Sequence, residues 1–204
     1  MLDLIIIQFA KFPEKGRVKT RLEPLLGQDG SYQLHIKMVD HLIQVCQIDD
    51  AQHVLALDTF SEHAKLDEWK QLTHLMLQQG DDLGEKMQHA LSWGLSQAKH
   101  AMVIGSDCPA ISQDVIHTIH QQLQNHEFAF VPAEDGGYVL IGASQLSCDV
   151  FSDMPWGTDQ VMKKTQQRLD ANNTSYFLHP MLWDVDRPED YQRLVEWMPG
   201  FKVD

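Results

Sequence analysis

The sequence predicts a three-layer α/β/α fold built on a mostly parallel central sheet, and three observations carry the prediction. Short apolar, β-branched runs alternate along the chain with longer stretches whose apolar residues recur at helical spacing. The runs close on glycine, proline or acidic residues, the chemistry of turns. Finally, 204 residues with 43% hydrophobic and 22% charged content suit one globular domain, residues 1–204, able to bury roughly 70% of its unfolded surface. Strands that alternate with helices pair in parallel, because a parallel crossover needs a dozen or more residues.

Taken in order, Leu4 to Ala10 reads as a buried first strand, closed by Pro13 and Gly16. From Ser31, residues Leu34, Met38, Leu42, Val45 and Cys46 recur at helical spacing and predict a helix with one apolar stripe. His53 to Leu57 is a second strand, Glu62 to Trp69 a helix and Leu72 to Leu77 a third strand. Gly80 to Gly84 is a turn that opens a helix to about Ala98, and Ala101 to Gly105 is the fourth strand. Ser112 is a good N-cap for a helix carrying Val115, Ile116, Ile119 and Leu123. Phe128 to Pro132 and Tyr138 to Ile141 are strands joined by a tight connection, Glu134 to Gly137, that needs positive φ. Thr158 can cap a helix to about Leu169, Ser175 to Leu178 is a late strand, and Pro188 starts the last helix.

Composition excludes several partners. The 16 basic against 29 acidic residues give a formal charge of −13, the wrong sign for a nucleic-acid partner. The apolar run Leu4 to Ile7 is far shorter than a membrane span and precedes charged residues, so neither membrane insertion nor a signal peptide is expected. Cys46, Cys108 and Cys148 form no CxxC pair, so neither a disulfide framework nor a cysteine zinc site is expected, and the cytoplasm is the natural compartment.

One stretch opposes the acidic total. Lys11, Lys15, Arg17, Lys19 and Arg21 place five positive charges in eleven residues, an arrangement suited to an anion. Gly16 permits a turn close to that anion, while Lys19 and Arg21 supply donors for phosphate oxygens, each charged contact contributing about 1.5–3 kcal/mol. The GxxxxGK[ST] spacing of a P-loop is absent, and a solvated basic loop is the plainer alternative.

In open α/β sheets, ligands lie beyond the carboxyl ends of the strands, and Asp107 emerges directly from the fourth. Its carboxylate suits Mg²⁺ bound together with substrate phosphates, although capping the next turn would also explain it. Asp184 and Asp186, two residues apart in an extended stretch, point the same way and can join it, unless Asp186 only caps the helix begun at Pro188. Asp135, Gly136 and Gly137 offer a carboxylate on a glycine turn for a second substrate, or simply a hairpin. Cys108 reads as a packed thiol, His117 and His120 as exposed residues off their helix's apolar stripe, and Trp156 as a core anchor.

Phe9-Ala10-Lys11, Lys19-Thr20-Arg21-Leu22, Gly80 to Gly84, Gly105 to Pro109, Asp135 to Gly142, Trp156-Gly157-Thr158 and Asp184-Val185-Asp186 together resemble an uncharacterised bacterial family of GT-A glycosyltransferase-like proteins, within the nucleotide-diphospho-sugar transferase superfamily. The resemblance spans nearly the whole chain. It implies a GT-A fold in which Asp107 and an acid near the C-terminus hold Mg²⁺ or Mn²⁺ on nucleotide phosphates. Lys19 to Leu22 is similar to the Lys-Ser-Arg-Leu of phospholactate guanylyltransferases, whose N-terminal loop embraces the triphosphate, so Lys11, Gly16, Lys19, Thr20 and Arg21 become the expected phosphate site. Gly80 and Gly84 stand where such enzymes hold base and sugar, and Asp135, Gly136 and Gly137 where an acceptor would lie. Arg187 departs from the superfamily, which often has threonine there.

The expected activity is transfer of a nucleotidyl group from an NTP to a small phosphorylated or acidic acceptor, with Lys19 and Asp107 as the catalytic pair and pyrophosphate released. A glycosyltransferase using an NDP-sugar is the alternative, and a non-catalytic nucleotide-binding protein a further one. The expected partners are a nucleotide and a small-molecule acceptor, with no nucleic acid or membrane, and a homodimer is compatible with the sequence.

Overall fold

A computed structural model describes residues 2–203. Its strands are β1 (Leu2–Ala10), β2 (Ala51–Leu57), β3 (His74–Leu77), β4 (Ala98–Gly105), β5 (Phe128–Pro132), β6 (Tyr138–Ala143) and β7 (Tyr176–Leu178). The helices are α1 (Glu23–Val45), α2 (Ala64–Leu72), α3 (Leu83–Gln97), α4 (Gln113–Gln122), α5 (Val161–Ala171) and α6 (Pro188–Trp197). The strands form one sheet in the order β3-β2-β1-β4-β6-β5-β7. All pairings are parallel except those of β6, which runs antiparallel to β4 and β5. Only five residues separate β5 from β6, too few for a parallel crossover, so a hairpin is the available solution.

β1 lies near the middle, and Ile5, Ile6 and Ile7 are all fully buried because both faces are covered. On one side Ile5, Ile7, Ala101 and Val103 pack with Met87 and Leu91 of α3 and Met162 and Leu169 of α5. On the other, Leu4, Ile6, Met102 and Ile104 meet Leu42 of α1 and Ile116 and Ile119 of α4. These are the three expected layers. No helix among the described residues is long and apolar enough to cross a membrane.

Strand ends shift by up to three residues from the sequence expectation, and three helix starts differ for a local reason. A helical turn opened by Pro24 begins at Glu23, and the backbone leaves helical angles at Gly27 (φ 65°, ψ 177°), so α1 is two helices joined across a kink, the longer of which carries the apolar stripe expected from Ser31. α2 begins at Ala64, where the His63 ring accepts from the Lys65 amide at 3.1 Å. Thr158 does not cap α5, which opens after Gln160; its hydroxyl donates instead to the Pro155 carbonyl at 2.8 Å. The Ser112 cap of α4 and Pro188 in the first turn of α6 stand as expected. His117 is exposed, but His120 is not: its side chain is 20% exposed and meets His100 and Asp3.

Candidate active site

The carboxyl ends of β1 and β4 open into a cleft of about 740 Å³. Lys11, Lys19, Thr20, Arg21, Asp107 and Asp186 all line it, so segments 166 residues apart in sequence meet in one place.

Lys19 organises the meeting. It precedes a short 3-10 turn, Thr20–Leu22, and adopts left-handed backbone angles (φ 50°) that direct its side chain inward. Such a conformation costs a non-glycine residue about 1–2 kcal/mol, so it needs compensating contacts. The Lys19 ammonium supplies them, donating at 2.6 Å to Asp107 Oδ1 and at 2.6 Å to the Val185 carbonyl. Two of its three N–H donors are thereby used, leaving one. The Val185 amide in turn donates to the Asp107 carbonyl at 2.8 Å. The loops after β1 and β4 and the segment before α6 are therefore tied at a single point.

Lys19 is nearly buried, its side chain 5% exposed, whereas the Asp107 side chain is 58% exposed toward the cleft. Protein surrounding Asp107 works to raise its pKa, but the Lys19 charge and hydrogen bond, with smaller help from His35 and Lys11, hold it below the usual carboxylate range. Asp107 is thus an anion with one face open.

Arg21 pairs with Asp186 at the rim. Capping of α6 falls to Asp190, whose carboxylate accepts from the Asp186 amide at 3.1 Å and the Arg187 amide at 2.7 Å. Asp186 consequently keeps its own side chain for the cleft. Asp184 does not line the cleft; burial, the charge of Asp135 and that of Asp107 push its carboxyl up to about 6. Asp135 is engaged in its own turn, accepting from the Gly137 amide at 2.9 Å, and Gly136 takes the positive φ (89°) expected of the hairpin. The charge of Asp135 is thus felt at Asp184.

Part of the basic loop turns elsewhere. Gly16 (φ 76°) lets the Arg17 amide donate to the Glu14 carbonyl at 3.1 Å and does not reach the cleft. Lys15 pairs with Asp29 and Arg17 with Glu14, and both line a separate groove of about 540 Å³ with Tyr32 and His63. The expectation that all five positive charges serve one anion holds for Lys11, Lys19 and Arg21. Gly80 and Gly84 also stay off the cleft surface but bracket Asp81, Asp82 and Leu83, which line it. Gly84 is required by close packing, since a Cβ there would lie 2.8 Å from Trp156 Cζ2.

Several lining residues escape a sequence reading. His35 sits on the buried stripe of α1 and reads as core, yet it faces the cleft while donating from Nε2 to the Lys11 carbonyl at 3.0 Å. Burial lowers its pKa, keeping it neutral. Asp58 accepts from the Phe12 amide at 2.6 Å, and Gln78 donates to the Ala10 and Ala56 carbonyls at 3.2 and 2.9 Å, so both brace the loop after β1. The available signal was their position just beyond β2 and β3, the same strand-end rule that exposes Asp107. Cys108 is fully buried and its thiol is pushed up to about 12 by burial, which removes it as a nucleophile.

Residues 41–158 match the family described as "Uncharacterized protein conserved in bacteria (DUF2064)". Among solved structures, a Desulfovibrio desulfuricans G20 protein, whose name assigns it provisionally to the nucleotide-diphospho-sugar transferases, is 25% identical with a TM-score of 0.84, covering 100% of both chains. A cytidylyltransferase from Leptospira borgpetersenii serovar Hardjo-bovis (strain JB197) is 14% identical with a TM-score of 0.61 over 100% of this chain and 89% of its own. CMP:2-keto-3-deoxy-manno-octonic acid synthetase complexed with CTP is 11% identical with a TM-score of 0.60, covering 97% and 99%. No curated protein sequence matches the chain.

Proposed function

The chain belongs to the DUF2064 family of bacterial proteins, and from that premise we propose that it is a divalent-metal-dependent nucleotidyltransferase, moving a nucleotidyl group from an NTP to a small phosphorylated or acidic acceptor. The similarity to nucleotide-diphospho-sugar transferases and cytidylyltransferases supports a transferase that uses a nucleotide. The observation that carries the finer reading is the pairing of Lys19 with Asp107 and of Arg21 with Asp186 along one cleft. A metal polyphosphate carries the complementary charges, cation for the open faces of the carboxylates and anion for the free N–H donors of the bases, so it can bridge both pairs at once.

The donor set fits a hard cation. Asp107 and Asp186 offer carboxylate oxygens at the cleft, Asp184 lies beside them, and the Cys108 thiol is buried away. These residues would hold Mg²⁺ or Mn²⁺, which when bound supplies charge neutralisation and polarisation of the phosphoryl group. The chain's own side chains do the rest. The remaining N–H of Lys19 donates to a phosphate oxygen, and the preorganised ammonium stabilises charge as the acceptor oxygen bonds to the α-phosphorus. Arg21, exposed at the rim, draws off the pyrophosphate as the bond between the α-phosphorus and the bridging oxygen breaks. Lys11 and Thr20 complete the phosphate site, Gly80 and Gly84 shape the wall for base and sugar, and Asp135 to Gly137 form the acceptor side. Residues 1–204 act together as one domain, in the cytosol, where the three buried free cysteines stay reduced.

Purified protein with Mg²⁺, each NTP and a panel of phosphorylated or carboxylate acceptors should release pyrophosphate; background release with every combination defeats the proposal. The Desulfovibrio neighbour's name favours a second reading, glycosyl transfer from an NDP-sugar, with Asp135 as candidate base. Product from NDP-sugars and none from NTPs selects it, whereas binding without turnover selects a nucleotide sensor.

A further inference from the structure

At the amino-terminal end of the parallel strands, remote from the cleft, three side chains converge that nucleotide chemistry does not use. Asp3 lies at the start of β1, His100 at the start of β4 and His120 in the last turn of α4. His120 Nε2 is 3.1 Å from His100 Nδ1 and 3.3 Å from Asp3 Oδ2. All three ligand atoms lie within 4.8 Å of one another.

These separations have a simple meaning. A tetrahedral Zn²⁺ with bonds of about 2.0–2.2 Å sets its ligand atoms about 3.3–3.5 Å apart. The two recorded edges are already close to that value. The opposite carboxylate oxygen, Asp3 Oδ1, accepts from the Lys99 ammonium at 2.9 Å, which orients Asp3 and leaves Oδ2 toward the imidazoles. Without a cation, His120 Nε2 faces a carboxylate oxygen and an imidazole nitrogen: as a donor it has one proton for the two, and as acceptor of a His100 Nδ1 proton it opposes the carboxylate lone pair.

We propose that Asp3, His100 and His120 form a transition-metal site that takes Zn²⁺, with water in the fourth position. The bound ion clips the start of β1 and the start of β4 to α4, at the end of the sheet away from the cleft. Two imidazoles and one carboxylate are borderline ligands and prefer Zn²⁺ or Co²⁺ to Mg²⁺. That preference separates this site from the oxygen-only donors around Asp107.

The test uses the full chain without an affinity tag, stripped of metal and titrated with Co²⁺ and then Zn²⁺. We expect one Co²⁺ per chain with the visible band of tetrahedral coordination, displaced by Zn²⁺. Zn²⁺ at about 100 times its dissociation constant should raise the melting temperature by about 5–10 °C. His120→Gln and Asp3→Asn should each weaken Co²⁺ binding at least about tenfold, while Asp107→Asn leaves the band intact. Circular dichroism of the metal-free variants verifies folding, and either folded variant suffices to decide. The proposal falls if the wild-type chain gives no tetrahedral band, if the band persists unchanged in both variants, or if Asp107→Asn removes it. The last result would assign the ion to the cleft, and all three are read without measuring pyrophosphate release.

Discussion

Lys19→Met separates the structural work of the cleft's buried cation from that of its exposed neighbour. The substitution keeps the length of the stem but removes bonds to the Asp107 carboxylate and the Val185 carbonyl, both 2.6 Å long. Breaking one side of a buried ion pair costs about 3–5 kcal/mol when the remaining charge stays dry. Asp107 is 58% exposed, so water can resolvate it and the expected loss drops to about 2–4 kcal/mol. For a chain of this size that is a fall in melting temperature of roughly 5–15 °C. Arg21→Met removes the same charge from a pair whose side chains are 70% and 40% exposed, and should cost only about 0–1 kcal/mol. Thermal and denaturant unfolding of the two variants read the contrast, and pyrophosphate release should fall in both. Equal stability of Lys19→Met and wild type, or equal destabilisation of both variants, would refute the view that Lys19 ties three loops together.

Three other outcomes follow from the same geometry. His53 is buried, neither ring nitrogen has a partner among the described residues, and burial depresses its pKa to about 4. The unfolded chain takes up that proton near pH 6.5 and the folded chain does not, so stability is full above pH 6.5 and falls toward pH 4, by at most about 3 kcal/mol. His53→Leu should flatten this loss in urea unfolding at pH 7 and pH 4.5; an unchanged slope contradicts the assignment. Gly84→Ala would bring a Cβ to 2.8 Å from Trp156 and 2.9 Å from the Phe151 carbonyl, which should cost about 1–3 kcal/mol by thermal unfolding; a variant as stable as wild type would mean that α3 yields freely there. Asp107→Asn should lower pyrophosphate release by about 10²-fold or more at saturating Mg²⁺, and unchanged turnover would remove Asp107 from the chemistry.

Much of the fold was legible because β1, β2, β4 and β5 are continuous apolar runs, the pattern of strands buried on both faces. The antiparallel hairpin was legible through Gly136, whose positive φ the short turn demands. The short helical turn before Gly27 was not, because Pro24, Gly27 and Gly30 look like loop residues, and Leu22 and Leu34 on either side of it join Trp183 and Val185 in a cluster that only the folded chain brings together. At the cleft, Lys19, Arg21 and Asp107 could be grouped because each follows a strand end. His35 could not, since a histidine on an apolar stripe looks like core, nor could the division of the basic loop, which depends on local pairs with Glu14 and Asp29. His120 was misread because its partners, Asp3 and His100, lie 117 and 20 residues away and meet it only in the folded sheet.

The central claim is that a metal-bound polyphosphate spans the Lys19–Asp107 and Arg21–Asp186 pairs, its phosphates on the bases and its metal on the carboxylates. Calorimetric titration of each NTP into the wild type and Asp107→Asn, with and without Mg²⁺, tests it most directly. Heats from at least one NTP should require Mg²⁺ in the wild type and vanish in Asp107→Asn. Binding of equal strength without the metal, or undiminished in the variant, would contradict the claim.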